Sequence, residues 1–127
     1  MIGYVDKIEK ITEDNDFFRK VLFTGKYCQL VTMCLLPNEE IGMEVHDTVD
    51  QFFRIEEGHG KVVMNGEEKE FESGDAIIVP AGTQHNIINT SAEEDLKLYT
   101  IYSPPNHPPD RVQKTKAEAM AAEEEHH

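Results

Sequence analysis

Asn65-Gly66 stands between two strand-like runs, residues 61–64 and 67–72. Both residues of the dipeptide tolerate positive φ, so it is the strongest short signal for a tight β-hairpin. Further short apolar or alternating runs lie at residues 21–23, 27–36, 51–56, 76–79, 85–89 and 96–102. Between them come Thr24-Gly25-Lys26, Pro37-Asn38-Glu39-Glu40, Gly58-His59-Gly60, Ser73-Gly74-Asp75 and the turn at 80–83, all rich in turn formers. Gly42 is expected to open one more strand. Nine or so short strands with turns every few residues predict an all-β barrel or sandwich.

The two ends read differently. Residues 1–20 mix charges with Ile8, Ile11, Phe17 and Phe18, which predicts a short strand or irregular arm held by the aromatics. Prolines 104, 105, 108 and 109 exclude a regular element there, since each lacks a donor and fixes φ. Residues 111–125, rich in Ala, Lys and Glu, predict a short helical or disordered tail with almost no apolar face and weak docking. The expected division is an arm at 1–20, a barrel at 21–103, and a Pro-rich loop with acidic tail at 104–127. At 127 residues this is one domain, large enough for a real core. His126-His127 fit a native tail or a purification tag equally well.

A net charge of −13 argues against a nucleic-acid partner, because the chain repels phosphate backbones. No apolar run approaches a membrane span, and the start MIGYVDKIEK lacks the layout of a signal peptide, so no membrane partner and a cytoplasmic location are expected. Cys28 and Cys34 fall in one apolar run with the same parity. Six residues of strand, roughly 20 Å, separate them too far for a disulfide, and both are expected to be small buried side chains.

Four residues raise a chemical question. Glu44 and His46 are two apart and share a face on an extended segment. Gln51 opens the next run on the face it shares with Phe53 and Ile55, and His85 follows the turn at 80–83. Two imidazoles with oxygen donors from separate strands can surround a divalent ion, and the mixed N/O set suits Mn, Fe, Ni, Co or Zn. His59, between two glycines, is expected in an exposed turn, and His107, in the Pro-rich loop, to be solvated or locally hydrogen-bonded. Arg54 should face outward by alternation, which leaves no obvious clamp for a phosphate or carboxylate.

The spacing resembles the cupin family, in particular its small single-domain, mannose-6-phosphate-isomerase-like barrels. Gly74, Pro80, Gly82, His85 and Asn89 match the second cupin motif at every position. The first motif matches in frame: His46 stands at its second histidine, Gln51 at its glutamate, Gly58 at its closing glycine, and Glu44 at its first histidine. The resemblance covers about residues 21–102. It implies a double-stranded β-helix, or jelly roll, with a site inside the barrel built on Glu44, His46, Gln51 and His85 around one divalent transition metal. Glu44 would serve as a ligand or as a general base beside the metal. It further implies a homodimer and a small-molecule substrate. The expected function is Lewis-acid chemistry on a sugar-derived or carbonyl-containing molecule, of the isomerase, lyase or epimerase kind. The alternatives are a non-catalytic binding or sensor module, or a metal-dependent dioxygenase.

Overall fold

The computed structural model describes residues 2–125; His126 and His127, with the question of their origin, lie outside the described residues. Nine strands follow one short helix: α1 (Ile8–Asp14), β1 (Arg19–Thr24), β2 (Gln29–Leu35), β3 (Asp50–Glu57), β4 (His59–Met64), β5 (Glu67–Glu72), β6 (Ala76–Val79), β7 (His85–Asn89), β8 (Leu96–Ser103) and β9 (Val112–Gln113), then α2 (Lys116–Glu125). They form a six-stranded sheet in the order β6-β3-β8-β2-β1-β9 and a three-stranded sheet in the order β5-β4-β7, every pairing antiparallel. This is the double-stranded β-helix that the resemblance implies. The hairpin β4–β5 turns where expected, with Asn65 at φ 47° and Gly66 at φ 85°, the left-handed pair that matches the twist of the strands.

Alternation sets the faces. On β3, Gln51, Phe53 and Ile55 are buried, while Phe52, Arg54 and Glu56 are only partly covered. Across the sheet, Phe53 lies opposite Ile77 and Thr100, and Ile55 opposite Leu98. Those inward rows meet Val62, Phe71 and Ile87 of the smaller sheet in one core. Each fully buried Phe, Ile or Leu contributes roughly 1.5–3 kcal/mol over leaving it in water. Gly58 closes β3 at φ +94°, and a Cβ there would come 2.7 Å from the Asp95 carbonyl oxygen, so only glycine lets the chain pass.

Four expectations are corrected. Residues 8–14 are helical rather than extended: Ile8 and Ile11 sit three apart, but no side chain caps the start and Thr12 is the one buried residue, so local signals are weak. Tertiary contacts hold α1 across the outer face of β2 and β8, where Lys97 Nζ donates to the Glu13 carbonyl at 2.9 Å and to Asp16 at 3.1 Å. Gly42 starts no strand; residues 40 and 44 make single bridges to Ile88 and His85. Cys34 is buried in β2, and burial pushes its thiol up to about 11, but Cys28 falls before the strand begins and is exposed. The C-terminal segment docks more firmly than its composition suggests. Asn106 and His107 backbone amides donate to Gln29 Oε1 at 3.1 and 2.9 Å, β9 pairs with β1, and Ala119 enters the core.

Candidate metal centre

Three of the four expected site residues meet. Glu44 and His85 exchange backbone hydrogen bonds, Glu44 N to His85 O at 2.8 Å and His85 N to Glu44 O at 2.9 Å. Such a reciprocal antiparallel pair sets two side chains next to each other on one face. Gly82 N donates to the His46 carbonyl at 2.9 Å, which ties the turn before β7 to the segment carrying His46. Gly82 takes φ +82°, the conformation that lets this turn aim His85 inward. One ligand atom from each of Glu44, His46 and His85 lies within 4.8 Å of the others, a cluster able to hold a metal ion.

The hydrogen bonds assign the lone pairs. His85 Nδ1 lies 2.9 Å from the Thr83 carbonyl oxygen. A carbonyl can only accept, so Nδ1 carries the hydrogen and Nε2 keeps its lone pair for the barrel, the arrangement that orients metal-binding histidines. His46 Nε2 meets Glu44 Oε2 at 2.9 Å. Burial alone would push the Glu44 carboxyl up. The hydrogen bond and charge of His46, backed by Arg19 and His85, outweigh that and hold it below its usual value. Glu44 is therefore an anion at neutral pH. The Glu44 and His46 side chains keep 24% and 16% of their exposure, so the cluster faces a mouth that solvent reaches.

Gln51 is buried beneath this mouth. Its Nε2 donates to Thr100 Oγ1 at 3.0 Å, while its Oε1 has no partner. A buried amide oxygen left unpaired costs free energy unless something accepts its lone pair, and a cation is one such acceptor. The cluster of two imidazoles and one carboxylate fits a divalent ion, and Gln51, on β3 opposite Tyr102, offers an unpaired amide oxygen in the same interior.

Three residues that alternation and motif spacing did not single out line the same interior. Tyr102, buried opposite Gln51 and Gln29, stands edge-on to His46 with ring centroids 6.0 Å apart. Burial pushes its phenol up to about 12, against the pull of Arg19 and Gln51. His107 is not solvated but folds back to place Nε2 3.1 Å from the Tyr102 hydroxyl. Burial, with the Arg19 charge beside it, pushes its imidazole down to about 3. A neutral His107 and a neutral phenol therefore share one hydrogen bond, its direction set by the imidazole tautomer. Arg19, the first residue of β1, is the third: it is 4% exposed and its Nη1 donates to Gln113 Oε1 at 2.8 Å. Arg54 does face outward, paired with Glu56 at 2.8 Å, and His59 is exposed at the start of β4. The cation inside comes from β1 instead, a strand outside the motifs.

The comparisons with known proteins agree with this architecture. The family model of the cupin domain matches residues 31–102. The chain is 47% identical to the uncharacterized protein YrkC of Bacillus subtilis over 95% of its own length and 68% of the relative's. It is similar to the crystal structure of BH2720 from Bacillus halodurans, with a TM-score of 0.90 and 45% identity over 93% of each chain. A predicted oxalate decarboxylase from Thermotoga maritima superposes with a TM-score of 0.59 and 25% identity, over 63% of this chain and 69% of the other. The matched domain takes in β2 through β8, with Glu44, His46, Gln51 and His85 inside it, and the chain belongs to the cupin family.

Proposed function

We propose that this cupin binds one divalent transition metal through Glu44, His46 and His85, with the Gln51 amide oxygen as a fourth donor. We assign it Lewis-acid chemistry on a small carbonyl-containing molecule, of the isomerase or lyase kind. The observation that carries the reading is the lone-pair assignment: His85 Nε2 is freed by its Nδ1–H bond to Thr83 and lies in the cluster with Glu44 and His46. Glu44 fits the ligand role better than the base role. A useful base has a pKa near the working pH, whereas the Glu44 carboxyl is held below its ordinary range. When bound, the metal polarises a substrate carbonyl or enediol oxygen. Tyr102 and His107 wall the interior as neutral groups joined by one hydrogen bond. The likeness to a predicted oxalate decarboxylase supports a small, oxygen-rich substrate.

Elemental analysis of protein purified without chelator, followed by calorimetric titration of stripped protein with Mn, Fe, Co, Ni and Zn, tests the assignment. One metal per chain is expected, with binding lost in a His46→Ala/His85→Ala variant that stays folded. Wild type that takes up none of these ions, or a double variant that binds as well as wild type, would overturn it.

A further inference from the structure

Arg19 carries a buried charge inside the barrel. Its guanidinium is buried, and a buried charge without a countercharge is costly. Among the described residues no carboxylate lies within ion-pair distance of it. Its known contacts are neutral: Gln113 Oε1 on Nη1, the Phe18 ring 5.2 Å from the guanidinium carbon, and the Tyr102 phenol, on which it acts as a hydrogen-bond partner. Its Nε is buried with no partner. It sits opposite Met33 on β2 and Gln113 on β9, inward-facing neighbours that are themselves buried. The charge reaches the site, since it pulls on Glu44, Tyr102 and His107 together.

Charge counting gives the ligand's sign. With neutral imidazole and amide donors, a divalent ion less the Glu44 carboxylate leaves one positive charge, and Arg19 adds a second. An interior this positive, inside a chain of net charge −13, selects for an anion that enters despite the repulsion of the whole surface.

We propose that Arg19 is the anion-binding residue of the barrel, and that the substrate is a small carboxylate with a carbonyl or hydroxyl beside it, such as a 2-oxo or 2-hydroxy acid. The carboxylate lies against the unpartnered edge of the guanidinium, and the neighbouring oxygen is directed to the Glu44–His46–His85 cluster. The guanidinium fork matches a carboxylate in shape as well as charge. Gln113 holds one arm of the fork and leaves Nε without a partner, so β9 positions the residue. This assignment rests on the metal-centre reading for the second oxygen and for the net positive charge of the interior; the buried guanidinium without a countercharge stands without it.

Calorimetric titration of zinc-loaded and metal-stripped protein with pyruvate and with oxalate provides the test, with uncharged dihydroxyacetone as control. Arg19→Gln is expected to weaken both acids by about tenfold to a hundredfold, to leave dihydroxyacetone unchanged, and to retain its zinc. In ¹⁵N-labelled wild type, the Arg19 Nε–H resonance is expected to shift on saturation with either acid, a readout that stands if the variant fails to fold. An Nε–H signal unmoved by saturating acid, or a folded Arg19→Gln protein with unchanged affinity, overturns the assignment. Failure of the metal reading looks different: no zinc is taken up, yet the stripped protein still shifts the Arg19 signal.

Discussion

Acid should destabilise this fold through His107 in particular. The imidazole ordinarily titrates at 6.5 and is pushed down to about 3 in the folded chain, first by burial and then by the charge of Arg19. Glu44 pulls the other way, and Arg111 and His46 add to the depression. Between those two values the unfolded chain binds a proton that the folded chain refuses, so stability rises with pH across the window. The contribution is complete above the unfolded value and is lost as pH falls from about 6.5 toward 3. Going from pH 7 to pH 5 forfeits about 2 kcal/mol from this residue alone, a large share of a small domain's stability. The structural cause is specific. A protonated imidazole could only donate to the Tyr102 hydroxyl, 3.1 Å away, and it would sit buried beside a guanidinium that repels it. Urea unfolding at both pH values, for wild type and His107→Gln, isolates the term, because every other titrating group is common to both proteins. Wild type should lose about 2 kcal/mol more than the variant between pH 7 and pH 5, through the midpoint and not the slope. Parallel losses in the two proteins would refute the reasoning, since His107 would then titrate alike folded and unfolded.

Zinc binding should remove the hydrogen from His46 Nε2 and spare that on His85 Nδ1, because only the first sits in the metal's place; ¹⁵N-detected imidazole signals read both, and loss of the His85 hydrogen would contradict the lone-pair assignment. Gly60→Ala should destabilise the fold by about 3 kcal/mol or more, since a Cβ there strikes the Ile88 carbonyl and comes 2.9 Å from the Phe71 ring; thermal melting within a degree of wild type would show that the strands can part at little cost. Gln51→Glu should tighten zinc and weaken pyruvate binding, and calorimetry that finds both changed in the same direction would count against the division of roles between Gln51 and Arg19.

The sequence carried the parts of the fold that rest on local backbone geometry. Asn65-Gly66, Gly58, Gly74 and Gly82 all take positive φ, and each announces itself as a residue type that tolerates it. Asn89 is legible for a related reason: its side-chain amide donates to the carbonyls of Leu35, Leu36 and Glu94, which few other side chains of that size can do. The Glu44, His46 and His85 positions were legible because their spacing follows from those turns. What stayed hidden depends on distant contacts. α1 has no cap and is held by Lys97, far along the chain. A two-residue strand such as β9 carries no period. His107 is drawn inward by Gln29, which donates to its carbonyl at 2.8 Å and accepts from its amide, a contact across 78 positions. Nothing in the alternation of β1 distinguishes an inward arginine from an outward one.

The exchange of a glutamine for the expected glutamate at position 51 makes physical sense once Arg19 is placed. Gln51 and Arg19 meet at the Tyr102 phenol, where both act as hydrogen-bond partners. A glutamate at 51 would bring a buried carboxylate and a buried guanidinium to the same phenol, and opposite charges attract strongly in so dry a setting. The pair would satisfy the site internally, leaving Arg19 no unspent charge for an anion. On the proposed metal reading, an amide there keeps the donor oxygen without the countercharge. The carboxylate of that reading is Glu44, at the mouth, where His46 and His85 hold its pKa down and no ion pair with Arg19 forms. Under the two proposals, placing the negative charge at position 44 and not at 51 separates two tasks that a single glutamate would confound: neutralising the metal, and leaving a cation free to receive an anion.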